Sequence, residues 1–281
     1  MTDQPPGPTV MVAVSNPRTE SALVALAGAI AEHEGGRVLV IHVVTVPDQT
    51  ALEEAAANRA RIDRTSDDLL AAAVDDAAAF DAPVATKTIL SHRGIGEVFD
   101  AARTNGADAV VMGYRGARLA GGRVEGSLEE VAHDLPCDFL VFDGRDLSVS
   151  NVLVPTAGGP SSDLSADVAR ALRDVFGATV SLLYVADDDD PAAREFLAAW
   201  ADERGLEDAT LRVETGDVEA AIARIGGEYD LVVVGATERG LLSRVVRGSP
   251  ADEAVSALDT PVVLAERPTD RSLWERLVGG R

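Results

Sequence analysis

The sequence has little of several residue types, and each shortage excludes a class of protein. Its 281 residues include one cysteine, so neither an intramolecular disulfide nor a metal site built from cysteines can form. Aromatic residues make up 4%, too few for the stacking platforms that bind single-stranded nucleic acid. No apolar run approaches the roughly 20 residues of a membrane helix, and the first residues lack the basic and apolar stretches of a secretory signal. The sequence therefore indicates a soluble, cytoplasmic protein without membrane insertion.

Lysine is almost absent, since Lys87 is the single lysine among the 25 basic residues. The chain has 47 acidic residues. The formal net charge of −22 repels phosphate backbones and argues against a nucleic-acid partner. Carboxylates in such excess over lysines are typical of salt-accumulating organisms, because they keep a protein hydrated where salt screens its charge. We expect a protein from a halophile, in particular from haloarchaea, with an ordinary acidic protein as the alternative.

The chain contains the same pattern twice. The segment Asp108–Gly113 recurs as Asp230–Gly235 at an offset of 122 residues, whereas Val10–Val14 recurs as Val152–Thr156 at an offset of 142. The first copy therefore carries 20 extra residues, which lie in a stretch from 50 to 80 that is rich in alanine and acidic residues. That composition predicts a helix.

The repeat divides the chain into two domains and a tail. We place the first domain at residues 1–147, the second at 148–268 and a C-terminal tail at 269–281, with the linker near 144–150. Within the tail, Leu273, Trp274 and Leu277 could form a short helix that packs on the body of the protein or on a partner.

Five short apolar runs in each copy alternate with longer amphipathic stretches. Because these runs are almost continuous in valine, isoleucine and leucine, they predict strands that are buried on both faces, as in a parallel sheet covered by helices. The sequence therefore predicts an α/β fold of two tandem doubly wound domains, each with a five-stranded parallel sheet. The predicted strands are 10–14, 38–44, 84–90, 109–112 and 139–142, then 152–154, 180–185, 209–213, 231–234 and 262–264.

A glycine-containing loop follows the fourth predicted strand of the first copy. Gly113 and Gly116 allow the backbone to approach a bulky anion. After nine intervening residues, Gly126 and Ser127 begin a predicted helix, whose free amides and dipole favour phosphate. Ser127 is also suited to be the helix N-cap, with Glu130 completing a capping box. From these residues alone, phosphate or nucleotide binding and simple capping both stay open.

The spacing Gly113-x-x-Gly116, nine residues, then Gly126-Ser127 resembles the nucleotide-binding signature of the universal stress protein family. The resemblance extends over residues 8–143 and 150–266 and implies the adenine nucleotide alpha hydrolase-like (HUP) fold. It also implies an adenine nucleotide, ATP or else AMP or ADP, with adenine at the ends of the first two strands and phosphates at the glycine loop. Carried over by position, the implied contacts are Val14, Ser15, Val43, Met112, Gly113, Gly116, Gly126, Ser127 and Leu128.

The sequence departs from this family pattern at two places. Family members that bind ATP commonly have an aspartate directly after the first strand, where this chain has Ser15 and, in the second copy, Ala157. The second copy also has Glu238 in the position that corresponds to Gly116. A carboxylate there repels phosphate by about 1 kcal/mol in water and more where water is excluded. We therefore expect the first copy to hold the ligand and the second to be structural or regulatory.

Catalytic and metal-binding motifs are missing from the sequence. There is no Walker A lysine and no nucleophile elbow, and the four histidines do not share a metal-ligand spacing. We predict no catalytic residue, no metal and no enzymatic activity, and a nucleotide-binding role in stress response or regulation. Segments 16–19 and 158–160 resemble those of universal stress domains linked to amino-acid and cation transporters. One alternative is thus a transporter-regulating interaction module without nucleotide, and another is a weak ATP hydrolase with Ser127 as phosphoryl acceptor.

The last predicted strand of each copy, 139–142 and 262–264, would be an exposed apolar edge if left unpaired. We therefore predict that the two copies pair through these strands as an intramolecular pseudo-dimer, which could dimerise again. The expected partners are adenine nucleotide and a transporter or signalling protein.

Overall fold

The computed structural model describes residues 7–15, 20–45, 59–91, 94–115, 118–119, 135–188, 191–235 and 260–268. These residues contain six helices and eleven strands. The strands are β1 Thr9–Val14, β2 Arg37–Thr45, β3 Val84–Ser91, β4 Ala109–Arg115, β5 Arg118–Leu119, β6 Asp138–Asp143, β7 Asn151–Pro155, β8 Thr179–Ala186, β9 Thr210–Thr215, β10 Leu231–Gly235 and β11 Val262–Glu266. The helices are α1 Glu20–His33, α2 Arg59–Ala77, α3 Gly94–Asn105, α4 Pro160–Phe176, α5 Pro191–Glu203 and α6 Val218–Gly226.

The chain divides into two compact units. The first comprises Met1–Glu125 with Phe142–Leu147, and the second comprises Gly126–Val141 with Ser148–Arg281. Most of β6, which is the last strand of the first sequence copy, therefore belongs to the second unit. The tandem boundaries drawn from the repeat, 1–147 and 148–268, stay a prediction.

The first unit contains a sheet in the order β3-β2-β1-β4, in which neighbouring strands are parallel. All six residues of β1 are buried, because this strand lies in the middle of the sheet and is covered on both faces. The outer strand β3 exposes four of its eight residues. The sequence predicted these four strands and a doubly wound fold. The order of the strands in the sheet confirms that fold class.

The second unit contains the predicted five parallel strands, in the order β9-β8-β7-β10-β11. In the same unit β6 is the next strand beyond β11. This neighbourhood agrees with the prediction that the two last strands pair. Further dimerisation of the chain stays a prediction.

The helices form where the spacing of apolar residues indicated them. In α1, Leu23, Leu26 and Ile30 are all buried, and the helix ends before Gly35, whose φ of +63° favours glycine. The extra segment of the first copy contributes α2, which buries a face that includes Leu69, Leu70, Ala73 and Ala77. Its helical composition is thus confirmed over Arg59–Ala77.

An ion-pair cluster joins three elements of the second unit. Arg267, just after β11, makes hydrogen bonds of 2.8–3.1 Å to both carboxylate oxygens of Asp138 on β6. Its guanidinium also donates to Asp167 on α4 at 2.9 Å, and Asp167 pairs with Arg170 at 3.0 Å. Burial alone would lower the pKa of Arg267, but its hydrogen bonds with Asp138 and Asp167 raise it. The cluster therefore fixes β6 to the rest of this unit.

The described part of the chain lacks two classes of feature. None of its helices is long and apolar enough to cross a membrane. It also contains no group of three or more His, Cys, Asp or Glu side chains that could hold a metal ion.

Candidate functional site

The candidate site lies at the carboxyl edge of the first sheet, where its parallel strands end. Val14 of β1 is paired with His42 of β2, and Ala13 is paired with Met112 of β4, so the three strands end side by side. The chain leaves β1 towards β2 on one side and returns to β4 on the other. In open α/β sheets, a reversal of this kind leaves a crevice at the strand ends in which ligands bind.

The structure brings five of the predicted contact residues to this edge. Val14 and Met112 are buried, with 2% and 0% of their surface exposed. Ser15 is exposed directly after β1, whereas Val43 and Gly113 are half-buried near the ends of β2 and β4. The other four predicted contacts lie outside the described residues, namely Gly116, Gly126, Ser127 and Leu128.

The strand before the glycine loop is longer than the sequence suggested. It was predicted to end at Met112, but β4 continues through Arg115. Its last two residues form an antiparallel ladder with β5, in which Tyr114 faces Leu119 and Arg115 faces Arg118. Gly113 is therefore part of a strand, and the two residues after it pair antiparallel with β5. The apolar residues that predicted this strand end at Met112. The last part of β4 is instead formed by backbone pairing with β5, which a pattern of side chains does not indicate.

Glu20 is a buried carboxyl at this edge that sequence reasoning missed. It lies in the first turn of α1, only 2% of its surface is exposed, and its Oε1 has no hydrogen-bond partner. Burial raises the pKa of Glu20 to about 7, with a further contribution from the charge of Asp76 on α2. Glu20 shares the inward helix face of Val24 and Ala27, and this spacing was the signal that could have revealed it.

His42 and Ser66 have the separation of a base and a nucleophile, but Ser66 is closed to substrate. The Nδ1 atom of His42 lies 2.9 Å from Ser66 Oγ on α2, and Ser66 is 1% exposed. Burial lowers the pKa of His42, which favours its neutral imidazole. His42 itself is half-buried in β2.

The corresponding edge of the second unit is shaped by glycine and by small polar residues. A Cβ on Gly235, the last residue of β10, would lie 2.6 Å from backbone atoms of Ser161 and Ser162, so the strand end touches the start of α4. Gly158 adopts a φ of +81°, and its amide donates to Thr156 Oγ1 at 3.1 Å. Ala157 is exposed where family members that bind ATP have aspartate. Glu238, Gly248 and Ser249 lie outside the described residues.

The fold defines a tandem α/β protein with mostly parallel, doubly wound sheets. The model of the universal stress protein family matches residues 8–143 and again 149–266. The chain belongs to the universal stress protein family, in a tandem form. No curated protein gives a significant match to the sequence.

Solved structures share the fold over nearly the whole chain. A universal stress protein from Archaeoglobus fulgidus DSM 4304 is 17% identical with a TM-score of 0.59, over 93% of this chain and 97% of that one. The cytoplasmic domain of a prokaryotic cation chloride cotransporter is 11% identical with a TM-score of 0.53, over 92% and 95%. A shorter match, over 48% and 96%, is a universal stress protein in complex with cAMP, 21% identical. Its TM-score of 0.36 is too low to carry an inference for this chain.

Proposed function

We propose that the protein binds an adenine nucleotide at the carboxyl edge of its first unit and acts as a non-enzymatic stress or regulatory protein. The observation that supports this most is the juxtaposition of Ser15, Val43 and Gly113, three accessible positions at the ends of β1, β2 and β4. The family resemblance assigns adenine to the first two of these strand ends. It assigns the phosphates to the glycine loop that begins at Gly113.

The proposal includes no reaction, and it is supported by the burial of Ser66, the serine that lies beside His42 in the described part of this edge. The Ser66 hydroxyl is buried and lies 2.9 Å from His42 Nδ1, and burial lowers the pKa of His42. Glu20, the carboxyl with a pKa of about 7, is likewise 2% exposed. Binding without turnover is part of the proposal, and the absence of enzymatic activity stays a prediction.

The proposal is tested by restoring the missing aspartate. A Ser15→Asp variant places a carboxylate at the exposed end of β1, where it can accept a hydrogen bond from the nucleotide. A charge-assisted hydrogen bond contributes about 1.5–3 kcal/mol, roughly a ten- to hundredfold gain in affinity. Titration calorimetry with ATP and AMP in high potassium chloride measures it, and analysis of nucleotide released from denatured wild-type protein shows whether any co-purifies.

Ala157→Asp is the matched control, because Ala157 has the same exposed position after β7 in the second copy. We expect it to leave the affinity unchanged. Equal gains from both variants would mean that both edges bind nucleotide. Absence of heat and of co-purified nucleotide in every variant would contradict the proposal.

A second candidate function is regulation of a cation or amino-acid transporter without nucleotide. It is favoured by the likeness to the cotransporter cytoplasmic domain and by the residues Ser15 and Ala157. This candidate predicts direct binding of the purified protein to a detergent-solubilised transporter, unaffected by added ATP. Failure to bind any such transporter, together with calorimetric binding of ATP, would eliminate it.

A further inference from the structure

One buried carboxyl group of the first unit has no role in the binding site proposed above. Only 2% of the Glu20 surface is exposed, and its Oε1 atom has no hydrogen-bond partner. A buried acceptor without a partner is rare in folded proteins, and a buried carboxylate is costly because its charge has lost the surrounding water. Binding a proton removes that charge. Protonated Glu20 therefore fits this position better than ionised Glu20 does.

Glu20 belongs to the helix that supports the candidate site. α1 packs against β1, β2 and β4, the three strands that carry Ser15, Val43 and Gly113 at or near their ends. Only four residues of sequence separate Glu20 from Ser15. A change in the first turn of α1 therefore acts on the end of β1, where we propose that the nucleotide binds.

Among the charged groups on the elements packed against α1, Asp76 of α2 is the one that acts on Glu20. Burial raises the pKa of Glu20 to about 7, and the charge of Asp76, which is half-buried, adds to the increase. β1 and the described side chains of β4 include no titratable group. On β2, Arg37 donates to Thr9 Oγ1 and His42 lies beside Ser66. The other titratable side chains described on α1 and α2 are Glu32 and His33 in the last turn of α1, and the exposed Arg64, Asp67, Asp68 and Asp75 on α2.

We propose that Glu20 is a proton-controlled switch for the candidate site, an inference that rests on the proposed function. While Glu20 is protonated, the first turn of α1 stays packed against the strands and the edge binds nucleotide. When Glu20 loses its proton, the carboxylate draws water into the first turn and adds a negative charge near a ligand that is itself an anion. Both effects weaken binding, so the affinity for nucleotide falls as the pH rises from 6 to 8.

The test compares nucleotide affinity at pH 6 and pH 8 in the wild type and in Glu20→Gln, by titration calorimetry with AMP in high potassium chloride. If only the protonated carboxyl permits binding, a pKa of about 7 predicts that the wild type loses about tenfold more affinity than Glu20→Gln does. The phosphate of AMP also titrates in this range. Because its titration is common to both proteins, the difference between them isolates Glu20.

Asp76→Asn and Asp75→Asn are a matched pair that tests the assignment to Glu20. Each removes one negative charge from α2, but only Asp76 acts on Glu20, whereas Asp75 is exposed. We expect Asp76→Asn to lower the pH at which affinity is lost and Asp75→Asn to leave it unchanged. Hydrogen exchange in the first turn of α1, corrected for the intrinsic rate, should accelerate above pH 7 in the wild type and not in Glu20→Gln.

The outcomes separate this inference from the proposed function. Nucleotide binding with the same pH dependence in the wild type and in Glu20→Gln would overturn the switch and leave the proposed function intact. Equal shifts in Asp76→Asn and Asp75→Asn would also overturn it, since they would reflect net charge alone. Absence of nucleotide binding at both pH values in every variant would overturn the proposed function, and the switch with it.

Discussion

The carboxyl group of Glu20 makes the first unit sensitive to pH near neutrality. The pKa of Glu20 rises from 4.5 to about 7 in the folded chain, so folding favours its protonated form. Its contribution to the unfolding free energy is fully present below pH 4.5 and is lost as the pH rises through 7. The contribution of His42 to the unfolding free energy depends on pH with the opposite sign. Because burial lowers the pKa of His42 in the folded chain, acid destabilises the fold by charging its imidazole.

We predict that Glu20→Gln stabilises the protein at pH 8 and has little effect at pH 4.5. The glutamine keeps the size of the side chain but cannot ionise, so at pH 8 the gain is on the order of 3 kcal/mol from the pKa difference. Urea denaturation at both pH values measures it. Glu203→Gln, at a side chain that is 72% exposed, is the control and should show no such pH dependence. A Glu20→Gln effect that is the same at both pH values would contradict this account.

The position of a residue at the candidate site could be predicted where that residue lies at the end of a predicted strand. The family resemblance implied Ser15, Val43 and Gly113 together, and in the structure they lie at or near the ends of three adjacent strands. Their role as ligand contacts stays a prediction. The burial of Glu20 was not predicted, because a glutamate in the first turn of a helix is common on protein surfaces. Only the packing of α1 against its neighbours makes it buried. The roles of Gly116 and Ser127 stay predictions.

At the scale of elements, the position of β6 depends on a charge cluster as well as on sheet pairing. Asp138 binds Arg267 through both carboxylate oxygens, and the two side chains are only 22% and 30% exposed. Hydrogen bonds between charged, poorly exposed groups contribute more than surface ion pairs do.

We predict that Asp138→Asn lowers the unfolding free energy by about 1.5–3 kcal/mol, the usual value for a hydrogen bond to a charged group. The amide keeps the shape but loses the charge that faces Arg267. Asp208→Asn is the control, because Asp208 pairs with Arg173 at 2.7 Å but is 62% exposed. Its loss should cost less than about 1 kcal/mol. Equal losses in the two variants, measured by urea denaturation, would show that the cluster does not fix β6.

The elements themselves were largely visible in the sequence, because runs of valine, isoleucine and leucine alternate with helical spacing. The features that the sequence did not show depend on how separate elements pair in the folded chain. Tyr114 pairs antiparallel with Leu119, and Arg267 forms an ion pair with Asp138. In neither case does the sequence around one residue indicate that it pairs with the other. The same holds for the division of β6 between the two units.

At the scale of the whole molecule, the net charge of −22 determines how the protein responds to salt. Like charges repel within the folded chain, and salt screens them, with a Debye length of about 10 Å at 0.1 M and 3 Å at 1 M. A halophilic origin stays a prediction from composition.

We predict that the melting temperature rises markedly between 0.1 and 2 M potassium chloride, as measured by circular dichroism. Sucrose at matched osmolality is the control, because it is excluded from protein surfaces but screens no charge. An equal rise in both solutes would assign the effect to solute exclusion rather than to charge screening. A melting temperature that does not respond to potassium chloride would contradict the halophile interpretation.

The central claim is that the two copies share a fold but that the first one holds the nucleotide. The most direct measurement is titration calorimetry with ATP and AMP in high potassium chloride, on the wild type, Gly116→Glu and Ser249→Ala. The first variant places the glutamate of the second copy into the glycine loop of the first, where its bulk and charge oppose phosphate. Ser249→Ala removes a hydroxyl from the second copy only. We predict that binding is abolished in Gly116→Glu and unchanged in Ser249→Ala. Binding that is lost in Ser249→Ala and retained in Gly116→Glu would contradict the claim.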